Sequence, residues 1–277
     1  VIKIGVFDSG FGGLTVLRAL LPRVPAAHYI YLGDTARLPY GAKSQATIAR
    51  YAVESAKFLA NQGCEYLVIA CNTATALALD DIRRAVRIPV LGVIEPGAKA
   101  AAATGSWQLD TGNASQNPEV LVLATSATVS SHAYRTACDA LGLHATEFAA
   151  PLLVPLVEEG WTSHPVTDEV LRIYLTEALA LCDPQAVLLG CTHYPLIAAA
   201  IERTLRTLGS TARIIDSAEA TAAAVAEALS SLEPRISNLG PATFTCYATD
   251  STEKFQRLGS HFLGQQIPQV HLLDLGG

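Results

Sequence analysis

Two cysteines, Cys71 and Cys191, are the residues of this 277-residue chain whose placement most suggests chemistry. Each closes an apolar run and opens a polar tripeptide. Leu67-Val68-Ile69-Ala70 leads into Cys71-Asn72-Thr73, and Val187-Leu188-Leu189-Gly190 leads into Cys191-Thr192-His193. A thiol where a strand feeds a helix N-terminus meets N–H donors and positive potential, which favour thiolate over thiol. With an ordinary pKa of about 8.5, such a group exchanges protons near neutral pH. Two matched thiols on opposed walls suit the inversion of a stereocentre: one removes a proton from one face, the other delivers a proton to the opposite face, and the roles exchange in reverse. A cysteine hydrolase needs one thiol and a partner base, which leaves a matched second thiol unexplained. The remaining cysteines, Cys64, Cys138, Cys182 and Cys246, read as small buried hydrophobes. No C-x-x-C pair occurs, so neither a disulfide framework nor a metal cage is expected.

Other residues fall where they can assist. Asp8 and Ser9 end the first apolar run, so Asp8 can orient a thiol or a substrate ammonium; the alternative is a helix cap. The glycines that follow, Gly10, Gly12 and Gly13, miss the G-x-G-x-x-G spacing of a dinucleotide loop, and no ribose-binding acid follows. Asp34 ends a second run and is read as a substrate contact, with turn chemistry as its alternative. Pro39-Tyr40-Gly41 forms a fixed turn whose N–H groups can hold a carboxylate. His193, two residues beyond Cys191, can shuttle its proton or tune it. Glu158, taken alone, reads as a solvated helix start.

The elements that must position these groups alternate. Candidate strands are Ile2–Phe7, Tyr29–Leu32, Tyr66–Ala70, Val90–Ile94, Val120–Ala124, Ala186–Gly190, Arg213–Ile215 and Phe244–Tyr247. Alanine- and leucine-rich helical stretches lie between them, among them Ser44–Gln62, Thr75–Val86 and Leu196–Leu208. Near-continuous apolar strands alternating with helices indicate an α/β fold with mostly parallel sheets covered on both faces. The chain also echoes itself. The two cysteine segments align at an offset of about 120 residues, and Val6-Phe7-Asp8-Ser9 matches Leu123-Ala124-Thr125-Ser126 at about 117. Two pseudo-symmetric domains are therefore expected, residues 1–95 plus 210–277 and residues 96–209, each a sheet flanked by helices. Ligands bind outside the carboxyl ends of such strands, which puts the expected active site in the cleft between the halves. The stretch Thr104–Pro118 reads as a surface loop.

Half of the residues are hydrophobic and 16% are charged, enough for a buried core. A net charge of −6 without a basic run disfavours nucleic acid and anionic membranes, yet leaves small anionic substrates open. No apolar stretch approaches the ~20 residues of a membrane span. The first residues read as a strand rather than a signal peptide, so a cytoplasmic location is expected.

Taken together, Asp8-Ser9-Gly10-Phe11-Gly12-Gly13-Leu14-Thr15, Gly33-Asp34-Thr35 with Pro39-Tyr40-Gly41, Cys71-Asn72-Thr73 and Gly190-Cys191-Thr192-His193-Tyr194-Pro195 resemble the glutamate racemase family of the aspartate/glutamate racemase superfamily. The four blocks occur in order, and the resemblance covers nearly the whole chain. It implies cofactor-independent proton transfer at the α-carbon of glutamate, with Cys71 and Cys191 as the acid/base residues. Asp8 and His193 assist them, and Glu158 contributes on the Cys191 side. Ser9, Pro39, Tyr40, Gly41, Asn72, Thr73, Thr192 and, in the second half, Thr128 are implied to hold the substrate's ammonium and carboxylates. Thr125-Ser126-Ala127 departs from the family's usual glycine-threonine pattern, and the 104–118 loop is longer than its usual connection. The resemblance further implies D-glutamate supply for peptidoglycan, and a homodimer is expected. Aspartate racemisation and non-catalytic dicarboxylate binding are the competing readings; intact Cys71 and Cys191 disfavour the latter.

Overall fold

The computed structural model describes residues 1–103, 118–230 and 241–275. The expected surface loop at 104–118 therefore lies, except for Pro118, outside the described residues. Among the described residues ten strands follow in chain order: β1 (Ile2–Asp8), β2 (Ala27–Gly33), β3 (Tyr66–Ile69), β4 (Val90–Gly92), β5 (Glu119–Ala124), β6 (His144–Ala149), β7 (Ala186–Gly190), β8 (Arg213–Asp216), β9 (Thr243–Ala248) and β10 (Val270–Leu272). They form a six-stranded sheet of order β10-β9-β2-β1-β3-β4 and a four-stranded sheet of order β6-β5-β7-β8. Every strand pair is parallel.

The order β2-β1-β3-β4 of the first sheet is the order β6-β5-β7-β8 of the second. The sequence echo thus corresponds to a repeated topology, with β9 and β10 added on the β2 edge of the first sheet. Tyr66–Ile69 and Ala186–Gly190 are buried throughout, as parallel strands covered on both faces must be. β6, with sequence His-Ala-Thr-Glu-Phe-Ala, and the exposed β10 lie at sheet edges, and neither carries the continuous apolar run that marks the central strands.

The chain divides into two compact units, Val1–Val93 with Thr221–Gly277, and Ile94–Ala220. The helix Ile94–Ala103 and the strand β8 belong to the second unit. Residues 213–216, which the sequence reading placed with the returning segment, pair with β7 because Ile214 and Ile215 lie beside the buried Val187 and Leu188.

Helices form on the expected pattern. In Gln45–Asn61, Ile48, Ala52, Ser55, Ala56 and Leu59 recur every three or four residues and are buried, while Ser44 caps the start by accepting from Thr47 N at 3.4 Å. The hydroxyl of buried Tyr29 donates to Leu20 O and Val24 O at 3.1 and 3.0 Å, satisfying carbonyls at the end of the helix Leu14–Arg23. Among the described residues, no helix is long and apolar enough to cross a membrane.

Candidate active site

In the first unit, Cys71 stands just beyond β3, where Ala70 N still donates to Phe7 O at 2.8 Å. It is the N-cap of the helix Asn72–Ala85, and its Sγ accepts from Ala74 N at 3.4 Å. The helix begins before the expected Thr75 because the thiol itself caps it, which places Asn72 and Thr73, both buried, in its first turn. The thiol donates to Ser9 Oγ at 3.4 Å. Burial, and next the charge of Asp8, push Cys71 up to about 12, against the pull of Ser9 and Ala74. The pull toward thiolate expected from the helix terminus is thus outweighed by desolvation, which favours the thiol in the substrate-free chain.

Asp8 is buried, and its Oδ2 accepts from Gly10 N at 2.8 Å. It shapes the glycine loop and does not cap the helix Leu14–Arg23, whose N-cap, Gly13, makes no side-chain capping bond. The loop presses against Asp8 so closely that a Cβ on Gly13 would lie 2.6 Å from Asp8 Cβ and 2.8 Å from Ala70 Cβ. The buried Tyr31 hydroxyl holds the same loop by donating to Gly10 O at 3.0 Å.

Asp34 is joined to Asp8 through the backbone, its N donating to Asp8 O at 3.0 Å. Its buried carboxylate accepts from Arg37 Nε (2.9 and 2.7 Å), Tyr40 OH (2.5 Å) and Thr249 Oγ1 (2.9 Å). Expected as a substrate contact, this carboxylate is engaged by protein groups. Burial and the neighbouring Asp34 hold the Tyr40 phenol far above its ordinary range, so it serves as a donor. Tyr40 is buried, whereas Pro39 and Gly41 are exposed. The Leu38–Pro39 peptide is cis.

In the second unit, Cys191 follows β7 directly and is buried. Its Sγ lies 3.8 Å from His193 Nδ1, and His193 Nε2 lies 3.0 Å from Glu158 Oε1. Thr192 Oγ1 is 3.5 Å from the same Nδ1. Glu158 is the last residue of the helix Leu153–Glu158, not a solvated helix start. Burial opposes a charged His193, but the bonds to Cys191 and Glu158 outweigh it and hold the imidazole up at about 10. As imidazolium it has two donors, one for the sulfur and one for the carboxylate. Tyr194 OH donates to Ala150 O at 3.0 Å and Ala124 O at 3.4 Å, pinning the Cys191 loop to the chain that follows β6 and β5. Thr128, fully buried in the short helix Ser126–Ser131, has its hydroxyl 3.0 Å from that of Thr125.

The structure therefore joins Asp8, Ser9 and Cys71 in one constellation, with Asp34 and Tyr40 beside it, and Cys191, Thr192, His193 and Glu158 in another. Thr128 holds its hydroxyl against that of Thr125. The thiols occupy matching positions with unlike assistants: a carboxylate from the end of β1 in the first unit, an imidazole–carboxylate pair in the second. Sequence reasoning passed over Arg37, Thr249, Tyr31 and Tyr194 as positioning groups. Only Tyr194 lay inside a recognised block; Tyr31 and Thr249 act across 21 and 215 residues, which no local spacing betrays, whereas Arg37 lies three residues from Asp34, a spacing that a local reading could have found. Among the described residues, no three His, Cys, Asp or Glu side chains group so as to hold a metal ion.

Comparison with known proteins places these features in context. A family model described as Asp/Glu/Hydantoin racemase matches residues 4–225. A glutamate racemase from Koribacter versatilis is 49% identical, the match covering 99% of this chain and 98% of that protein. One from Aquifex aeolicus is 40% identical over 96% of each chain. Among solved structures, glutamate racemase from Francisella tularensis in complex with D-glutamate is similar with a TM-score of 0.86 at 33% identity, covering 99% of this chain and 98% of that one. Glutamate racemase from Thermus thermophilus in complex with β-chloro-D-alanine gives 0.85 at 40% identity, covering 99% and 97%.

Proposed function

The chain belongs to the Asp/Glu/hydantoin racemase family, and on that premise we propose that it interconverts L- and D-glutamate by two-thiol proton transfer at the α-carbon without a cofactor. The observation that carries this reading is the matched placement of Cys71 and Cys191 at the carboxyl ends of β3 and β7, in two sheets of the same strand order. In each turnover one cysteine, as thiolate, takes the α-proton, and the other, as thiol, gives its proton to the opposite face of the carbanion. The product leaves with the thiol and thiolate exchanged, ready for the reverse reaction. Asp8 accompanies the Cys71 proton, and the His193–Glu158 pair that of Cys191.

The α-proton is weakly acidic, so the carbanionic transition state needs preorganised donors about the α-carboxylate. Ser9, Asn72, Thr73, Thr128 and Thr192 are assigned to the ammonium and α-carboxylate. The turn Pro39-Tyr40-Gly41, seated on Asp34, receives the distal carboxylate through its backbone and so aims the Cα–H bond at a thiol. The product supplies D-glutamate for peptidoglycan synthesis in the cytoplasm, and the working assembly is a homodimer, which sedimentation at micromolar concentration tests.

The reaction itself is tested by incubating the protein with L-glutamate in deuterated water, with nothing added. Loss of optical rotation together with deuterium at the α-carbon is the expected result. Unchanged rotation and an intact α-proton would overturn the assignment.

A further inference from the structure

Between β2 and the helix Gln45–Asn61 lies a buried charge cluster that the chemistry above does not use. Arg37 is its centre. Its Nε donates to both oxygens of Asp34, its Nη1 to Glu54, and its guanidinium lies over the Tyr51 ring at 4.2 Å. The Arg37 side chain is 10% exposed and Asp34 fully buried, yet Arg37 Nη2 is buried without a hydrogen-bond partner. Such a cluster is a poor device for stability, since well-packed apolar groups do as well or better and an unsatisfied donor adds cost. Its shape is better matched to holding something in place.

What it holds is the turn that follows. Asp34 accepts the Tyr40 hydroxyl at 2.5 Å, and Tyr40 carries the backbone leading into Gly41. The other side of the cluster is laced to the end of β9. Thr249 Oγ1 donates to Asp34 Oδ1 at 2.9 Å and accepts from Ala36 N at 2.9 Å. Thr35 Oγ1 donates to Asp250 O at 2.8 Å and accepts from Asp250 N at 3.0 Å. We infer that Arg37, with Asp34 and Thr249, is a positioning residue: it fixes Tyr40 so that the Tyr40–Gly41 backbone receives the distal carboxylate of the substrate at a set distance from Cys71. This rests on the glutamate reading above. Arg37 touches no substrate. It offsets the charge of Asp34, and its Nε–H, shared between both oxygens while Nη1 bonds to Glu54, holds the orientation of the Tyr40 acceptor.

Arg37→Lys keeps the charge and removes the planar guanidinium that ties Asp34 to Glu54; Tyr40→Phe removes one oxygen. Each is expected to raise KM for glutamate about tenfold, with a smaller fall in kcat, because a binding contact shared by ground and transition states is displaced. Calorimetric affinity for glutamate should fall by the same factor. Melting temperatures measured in parallel separate this from a purely structural role. A lower melting temperature with KM and affinity unchanged in both variants would overturn the inference while the racemase reading stood. Should Arg37→Lys not fold, Tyr40→Phe decides alone. A wild-type protein that does not turn over glutamate would overturn the reading and this inference together.

Discussion

Replacing Glu158 with glutamine removes one charge from the Cys191 side and almost nothing else. Glu158 Oε1 lies 3.0 Å from His193 Nε2, and its side chain is 26% exposed. Two unit charges at that separation interact by about 5 kcal/mol at an effective dielectric of about 20, an upper bound that solvent at Glu158 reduces. Charge-assisted hydrogen bonds contribute roughly 1.5–3 kcal/mol, and a neutral amide keeps about half of that. The expected loss is therefore about 1–2 kcal/mol of transition-state stabilisation, or roughly fivefold to thirtyfold in kcat/KM. Enantiomers have equal free energies in water, so kcat/KM must fall by the same factor for L- and D-glutamate. The asymmetry of the site emerges only in isotope effects. With α-deuterated substrates, the effect should rise for the enantiomer whose hydrogen is taken on the Cys191 side, because that transfer now limits the rate. It should fall for the other enantiomer, whose abstraction no longer does. Polarimetry with both deuterated enantiomers measures this. A loss smaller than twofold, or isotope effects that move together, would refute the role given to the Glu158–His193 pair.

Further outcomes follow from the same geometry. With its thiol pushed up to about 12, substrate-free Cys71 should react with iodoacetamide at about pH 8 roughly a thousandfold more slowly than an ordinary thiol, and Asp8→Asn should speed it; mass mapping of labelled peptides checks both, and equal rates in the two proteins would contradict the Asp8 contribution. Gly13→Ala should cost about 1–3 kcal/mol in urea unfolding and lower kcat, because its Cβ would meet Asp8 Cβ at 2.6 Å; an unaltered midpoint would show that the loop has room. His193 is held up at about 10 from an ordinary 6.5, so its pairing contributes fully to stability below about pH 6.5 and is lost as pH rises through about 10. The melting-temperature gap between wild type and His193→Asn should therefore narrow over that window, and a gap that widens would reverse the assignment.

The parts of the fold legible in the sequence are those where burial is two-sided. β1, β3, β5 and β7 carry near-continuous apolar runs because helices cover both faces, and their ends mark where Asp8, Cys71 and Cys191 emerge. The edges were less legible. β6 mixes polar and apolar residues, β10 is three residues long, and β8 takes its sheet from the neighbour it meets rather than from any local signal. The start of the helix Asn72–Ala85 was obscured because a thiol does the work usually left to serine or aspartate. At the site, the proximity of Cys191 to His193 could be read from adjacency, whereas the bond between Glu158 and His193 spans 35 residues and was implied only by family resemblance. The Thr249 side of the clasp on Asp34 was unreadable for the same reason, since it reaches across 215 residues; Arg37 is only three residues away, but a carboxylate at a strand end looks the same whether it faces a substrate or an arginine. The rise of the Cys71 thiol was not legible because helix position shows nothing of the desolvation that burial brings.

The claim that each thiol serves one face of the α-carbon is tested most directly by the two single variants Cys71→Ser and Cys191→Ser, assayed with both glutamate enantiomers in deuterated water and checked by far-ultraviolet circular dichroism. A serine hydroxyl is far less acidic than a thiol, so the account predicts that each variant keeps its fold and loses racemisation of both enantiomers. Full racemisation by either folded variant would contradict it.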